Sequence, residues 1–288
     1  MKNLFFVPLV FLVFSCSNDA ERIDEEENLE TNANFVFEDS FETSSNDFSL
    51  LFPNDNSRWT TVQLISPNRD TNSLGLSSNI VSDGNQSLVI QSKQSDEILS
   101  KADIEKGAFS AATNSKVTIE ADYYIDSDAN LENLFLLDLE CCSCWDPEVD
   151  ADPSVDGDNK CPGIRLMLSG GDDYLAIERG KIAGTTLRQS SFKFPRKEWV
   201  TIRWELVLSP NEDGANKVFL NGDQILSQDG MNMPNAQVFR DVFAENNIDF
   251  ELQLPVVYER IQVGATANPN AEDLTIYVDN FSMTIENN

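Results

Sequence analysis

The chain runs to 288 residues, 41% of them hydrophobic, with 49 acidic side chains against 20 basic ones, a formal net charge of −29 and no histidine. So acidic a surface repels nucleic acid and anionic membranes, and it disfavours sulfated or uronate-rich polymers wherever no local basic patch overrides the global field. Without histidine there is no Ser-His-Asp triad, no His-ligated zinc and no imidazole base, so any catalysis falls to carboxylates, Tyr, Lys, Arg or a bound metal.

Residues 1–15 open with Lys2, continue as an apolar run from Leu4 to Phe14 and stop at Ser15, directly before Cys16. A charged start, a short apolar stretch and a small residue make a secretory leader. The run is too short for a bilayer span, which takes about 20 apolar residues. A Cys directly after the small residue resembles a bacterial lipoprotein signal. That resemblance implies that Cys16 is lipidated and becomes the mature N-terminus. The protein would then sit on the outer membrane, facing the cell exterior, and touch the membrane only through its lipid. The alternative is an ordinary leader with Cys16 incidental, and both readings place the folded part outside the cytoplasm. Residues 16–34 are polar and acidic, which makes a disordered tether. An acidic run behind a lipidated Cys also resembles the surface-export signal of some lipoproteins.

From 35 to 288 the chain reads as one all-β domain. Strands are expected at 34–42, 86–92, 116–125, 133–140, 163–169, 174–179, 199–208, 217–220, 258–267 and 274–285, with one short helix at 236–245. Their alternation, with Asn, Asp, Gly and Pro between them, is the pattern of a sandwich or barrel.

Four cysteines, Cys141, Cys142, Cys144 and Cys161, cluster in the middle of the chain. Outside the cytoplasm such a set reads as disulfides, with three pairings open; a four-thiolate zinc site fits the Cys-Cys-x-Cys spacing less well. Between them lies an acidic loop with Asp146, Glu148, Asp150, Asp152, Asp156 and Asp158. Alternating carboxylates beside Gly157 suit a Ca²⁺ ion, which takes about 6–8 oxygen ligands, although the spacing is not that of an EF-hand. The bland reading is a disulfide-tied, solvated loop.

Three stretches carry a family resemblance. Residues 199–205 lead through a polar turn to Val218-Phe219-Leu220-Asn221-Gly222, followed later by 258–264 and 275–281. These resemble the strand, Asn-Gly hairpin and last two strands of concanavalin A-like jelly rolls, which occur in laminin-G-like modules, laminarinase-type hydrolases and heparin- or alginate-lyase-type proteins. The resemblance implies a β-sandwich of two antiparallel sheets with a concave groove that takes polysaccharide. Fold alone does not choose between binding, hydrolysis and elimination.

Strand parity sorts the candidate residues. In 199–208, Val200, Ile202, Trp204, Leu206 and Leu208 share the core face and Arg203 and Glu205 face out. In 258–267, Ile261, Val263 and Ala265 face in and Tyr258, Arg260 and Gln262 face out. Phe135, Leu137 and Leu139 face in and leave Asp138 and Glu140 outside; Arg165 and Glu178 face out from their own strands. If these strands share the concave sheet, its open face suits sugar hydroxyls; otherwise it is a solvated face laced with ion pairs. Trp59, Trp145 and Tyr174 are candidate stacking platforms.

Two chemistries are weighed. Asp138 and Glu140 stand i, i+2 on one face, about 6.5–7 Å apart at the backbone, against carboxyl separations of about 5–5.5 Å in retaining and about 6.5–9.5 Å in inverting glycosidases. The run resembles the Glu-x-Asp-x-Glu strand of laminarinase-type enzymes, but Leu136 stands where the first Glu would be. For a lyase, Tyr258 would serve as base, Arg260 or Arg165 would neutralise a uronate carboxylate and Gln262 would assist. The lyases this fold resembles generally carry a histidine, which this chain lacks. The leading expectation is glycan binding without covalent chemistry, with a lyase as the alternative and a hydrolase behind it.

Overall fold

The computed structural model describes residues 34–65, 72–94, 101–128, 131, 134–144, 162–169, 173–179, 185–245, 252–265 and 272–287. The expectations for residues 1–33 and for the acidic loop fall outside the described residues.

Among the described residues, fifteen strands build the domain. They are β1 (Phe35–Asp39), β2 (Thr61–Ile65), β3 (Ser73–Ser77), β4 (Ser87–Ser92), β5 (Lys101–Lys106), β6 (Lys116–Ile125), β7 (Leu134–Glu140), β8 (Gly163–Ser169) and β9 (Tyr174–Arg179). There follow β10 (Thr185–Lys193), β11 (Val200–Val207), β12 (Ala215–Leu220), β13 (Asp223–Asp229), β14 (Arg260–Ala265) and β15 (Leu274–Glu286). One helix, α1 (Ala236–Glu245), occupies the stretch expected for it.

All named pairings are antiparallel, and they form two sheets. Sheet A runs β13-β12-β11-β6-β15-β4-β3, with β1 also paired to β15; sheet B runs β10-β9-β8-β7-β14-β5-β2. This is the jelly-roll sandwich of the sequence reading. Alternation places the apolar residues between the sheets: Val117, Ile119, Ala121, Tyr123 and Ile125 of β6 are buried, as are Val200, Ile202, Trp204 and Leu206 of β11. From sheet B come Leu137, Leu139, Ile164, Leu166, Ile177, Ile261 and Val263. Each fully buried side chain of this size contributes about 1.5–3 kcal/mol.

The hairpin between β12 and β13 closes in two residues, Asn221 (φ 50°) and Gly222 (φ 88°). Both positive φ angles are what a two-residue turn matching strand twist demands, and Asn-Gly supplies them at least cost.

Five strands escape the sequence reading: β2, β3, β5, β10 and β13. Thr185–Lys193 is a mostly exposed edge strand with no apolar face, and Lys101–Lys106 alternates charged residues with only Ala102 and Ile104. Neither has the apolar signal that marks a strand.

On β15 a bulge after Asp279, with Asn280 at φ 48°, buries the Asp279 carboxylate. It accepts from the backbone N–H groups of Ser82 (3.0 Å), Asp83 (3.3 Å) and Asn280 (2.9 Å). Burial pushes its pKa up to about 6, with neighbouring Asp122 adding to the rise and the N–H groups opposing it. A carboxyl whose folded pKa lies above its unfolded value stabilises the fold when protonated. That contribution is complete below the unfolded pKa of about 3.9 and is lost as pH rises through the folded value. Denaturant unfolding of wild type and Asp279→Asn over this pH window should therefore show wild type losing more stability with rising pH than the variant. Parallel curves would contradict the assignment.

Candidate functional site

The outer face of sheet B carries a continuous polar array. Register brings it together: Arg260 lies opposite Glu140, Gln262 lies opposite both Asp138 and Glu105, Gln63 opposite Asp103, and Arg165 opposite both Asp138 and Glu178. These side chains project away from the sandwich core, yet Lys101, Asp103, Glu105, Asp138, Glu140, Arg165 and Gln262 are all buried.

One half of the array centres on Glu140. Its Oε2 accepts from Arg260 Nη2 (2.8 Å) and Nε (2.9 Å) and from Gln262 Nε2 (3.0 Å). Arg260 also reaches Glu105 at 3.2 Å, and Glu105 accepts from Gln63 Nε2 at 3.0 Å. Lys101 Nζ donates to the amide oxygens of Gln63 (3.1 Å) and Gln262 (3.4 Å).

The other half centres on Arg165, which pairs with Asp138 (3.2 Å) and Glu178 (2.9 Å) and lies over the Phe135 ring at 4.7 Å. Its Nη2 is buried with no hydrogen-bond partner among the described residues. Burial pushes the Glu178 carboxyl up, Arg165 pulls it down and Asp138 pushes it up further. Gly163 faces Glu140 across the β7–β8 pair; a Cβ there would stand 2.7 Å from Leu139 O and 3.0 Å from Asp138 Oδ1. Any larger residue would displace the Asp138 side chain.

Several expectations are corrected. Arg203 and Glu205 belong to sheet A, where Arg203 pairs with Glu205 at 3.2 Å and stacks over Phe219, so they are not part of this face. Phe135 faces outward because a bulge at Leu136 adds one residue and reverses parity; the freed Leu136 carbonyl accepts from Tyr123 Oη across the sandwich. Trp59 is wholly buried among Phe37, Phe41 and Phe281. Tyr258 is also wholly buried: it precedes β14 and pairs with Ala111 in an isolated bridge outside the named strands. Its hydroxyl donates to Asn232 O at 2.7 Å, and burial raises its pKa far above the phenol range. A phenol that donates to a carbonyl and is so hard to ionise does not suit a base. Accordingly, Tyr258→Phe should cost about 1–3 kcal/mol of stability, the range for leaving a buried partner unsatisfied, with any enzymatic activity kept within a few-fold. Assay beside a melting curve checks this.

Cys141 and Cys144 form a disulfide, with Cα atoms 5.6 Å apart, which displaces the four-thiolate zinc alternative. Cys142 is half-buried with its Sγ 3.8 Å from Glu140 Oε2, and Cys161 lies outside the described residues. The same holds for Trp145 and for Asp146, Glu148, Asp150, Asp152, Asp156 and Asp158. Among the described residues no group of three or more acidic or cysteine side chains is placed to hold a metal. Tyr174 is half-buried on β9, sharing the outer face with Glu178.

Parity missed Lys101, Asp103, Glu105 and Gln63. Their signal is faint but present: in Lys101–Lys106 the charged residues at 101, 103 and 105 alternate with Ala102 and Ile104.

No family model and no curated protein matches this sequence. Solved structures do match its fold. An endo-β-1,4-glucuronan lyase from the fungus Trichoderma reesei superposes with a TM-score of 0.56 at 10% identity, over 86% of this chain and 94% of that one. The PL-14 alginate lyase from Aplysia kurodai gives 0.52 at 16% identity, over 86% and 97%. Alginate lyase Aly36B gives 0.51 at 11% identity, over 88% and 96%. At these identities the likeness is one of fold.

Proposed function

We propose that this chain takes a uronate-bearing polysaccharide on the outer face of sheet B and cleaves it by β-elimination. One observation carries the reading: among the described residues, Lys101 is the cation of this face whose hydrogen bonds go only to amides, while Arg165 and Arg260 are each shared between two carboxylates. Among the described residues the array holds five carboxylates to three cations. An anionic sugar would therefore be repelled everywhere except where a positive charge lacks an acidic partner. Support comes from the proteins of like fold, which are named as lyases of glucuronan and alginate, both uronate polymers.

In elimination a base removes the proton beside the uronate carboxyl, a C=C bond forms, and the glycosidic C–O bond breaks, its oxygen leaving with a proton. Negative charge gathers on the carboxylate as the proton departs. Fixed donors aimed at that charge are the largest single means of lowering the barrier. Lys101 with the amides of Gln63 and Gln262 is such a donor set, and Arg165 Nη2 is a second donor along the same face. Much of the array, Lys101 included, is closed to solvent in this structure, while Arg260 and Glu178 are partly exposed, so the buried part must open to admit the sugar.

The burial itself favours a second reading, in which the array is structural and sheet B at most binds glycan without cutting it. The test is incubation with alginate, glucuronan and neutral polysaccharides, following ultraviolet absorbance of unsaturated ends and reducing ends together. Both signals rising supports elimination. Reducing ends alone would turn the reading to hydrolysis by Asp138 and Glu140, and silence in both would leave binding.

We also propose that the chain is lipid-anchored at Cys16. Its support is the leader ending at Ser15 directly before Cys16. The protein should partition with outer membranes and label with radioactive palmitate, and Cys16→Ser should release it unlabelled. A labelled Cys16→Ser protein would sink the assignment.

A further inference from the structure

The outer face of sheet A is polar along most of its length, with Lys116, Thr118, Glu120, Arg203 and Glu205 pointing away from the core. One transverse row departs from this. Trp199 directly precedes Val200, which pairs with Tyr123, so Trp199 stands beside Tyr124; Tyr124 faces Tyr277 on the next strand. The rings meet at centroid distances of 5.6 Å for Trp199–Tyr124 and 5.9 Å for Tyr124–Tyr277. All three are only half-buried. The row continues through Val89 to Gly75, where a Cβ would meet nothing nearer than Val89 Cγ1 at 3.8 Å, so the far end is low and open.

Hydrogen-bonding side chains border the row on both sides. Asp122 and Thr201 flank it toward the β15 bulge, and Thr275 and Gln91 flank it on the other side. Asp122 Oδ2 accepts from Ser82 Oγ (2.7 Å) and Asn280 Nδ2 (2.9 Å), which fixes its orientation. Lys197, the cation beside Tyr124, is held by Asp128.

We propose that this row is a second glycan-binding surface, on the sheet opposite the array of sheet B, and that it takes a neutral stretch of polysaccharide. Aromatic rings offer apolar area to the C–H faces of pyranoses while keeping a polar edge in water. The flanking acceptors and hydroxyls meet the sugar hydroxyls. Carboxylates border the row and its neighbouring cation is already paired, so a polyanion finds no counter-charge here. A binding surface facing away from a cleaving one would hold the protein on a polymer while other segments reach sheet B, with gains from effective concentration alone. The surface stands whether or not sheet B cuts.

The test is affinity electrophoresis of the full protein in gels containing a soluble β-glucan, a galactomannan or alginate. Retardation by a neutral polymer, insensitive to salt, is expected. Trp199→Ala and Tyr277→Ala should each weaken it by about tenfold, the scale of one lost ring contact. Turnover of short uronate oligosaccharides should be unchanged in both. Lys101→Ala should lose cleavage and keep retardation, which separates failure of this surface from failure of the lyase reading. Hydroxyl-radical footprinting of wild type gives a readout independent of variant folding: bound polymer should protect Trp199, Tyr124 and Tyr277. Retardation by no neutral polymer, retention surviving both substitutions, or aromatic residues left unprotected would each overturn the proposal.

Discussion

Replacing Lys101 by Ala is expected to reduce the release of unsaturated uronate ends by about 10²–10³-fold, the loss that follows removal of one fixed donor at a developing oxyanion. The magnitude follows from where the residue sits. Lys101 is buried and its Nζ is held between two amide oxygens, with no ion pair to a carboxylate among the described residues, so its positive charge is little screened by water. Lys101→Met keeps most of the side-chain volume and tests charge apart from packing. It leaves the buried Gln262 oxygen without that donor, at a cost of about 1–3 kcal/mol, while the Gln63 oxygen still accepts from Gln262 Nε2 at 3.3 Å, so activity must be compared where the variant is still folded. Parallel Asp103→Asn and Glu140→Gln variants decide which carboxylate, if either, takes the proton. Unimpaired cleavage by Lys101→Met would remove the residue from the mechanism and with it the main support for elimination.

Parity made much of the array legible. Asp138, Glu140, Arg165, Glu178, Arg260 and Gln262 fall on one face because alternation in β8, β9, β14 and the part of β7 after Leu136 is regular and the opposite residues are apolar. Parity fails where its premises fail. It assigns a face but not a sheet, and so it could not separate Arg203 and Glu205 from the rest; strand order depends on pairings between distant segments. It assumes an unbroken strand, which the bulge at Leu136 violates, turning Phe135 beneath Arg165. It assumes that a side chain pointing away from the core meets solvent. Tyr258 instead meets the backbone of Asn232, 26 residues earlier in the chain, and disappears from the surface. Lys101 was missed because a strand whose apolar face is one alanine and one isoleucine barely differs from a polar loop in composition.

Arg260→Ala should be the most destabilising single change on this face, costing about 3–5 kcal/mol, because removing one partner of a buried pair strands the other's charge. Here one guanidinium serves two acids: the side chain of Glu140 is 0% exposed and that of Glu105 is 8%. Neither has water to fall back on. Glu140→Gln should cost less, since an amide oxygen still accepts from Arg260 and from Gln262. The double variant Arg260→Ala/Glu140→Gln should recover part of the single loss, and a double-mutant cycle in urea reads that coupling directly. Lys at 260 keeps the charge but not the planar fork that spans two carboxylates, so Arg260→Lys should fall between wild type and Ala. Acid supplies an independent check on the cause. A stranded carboxylate has its pKa raised, so the deficit of Arg260→Ala relative to wild type should shrink as pH falls and the buried acids take up protons. If the variant instead proved as stable as wild type while losing its grip on uronate polymers, Arg260 would be a substrate ligand, and Lys101 would no longer be the cation that singles out the site.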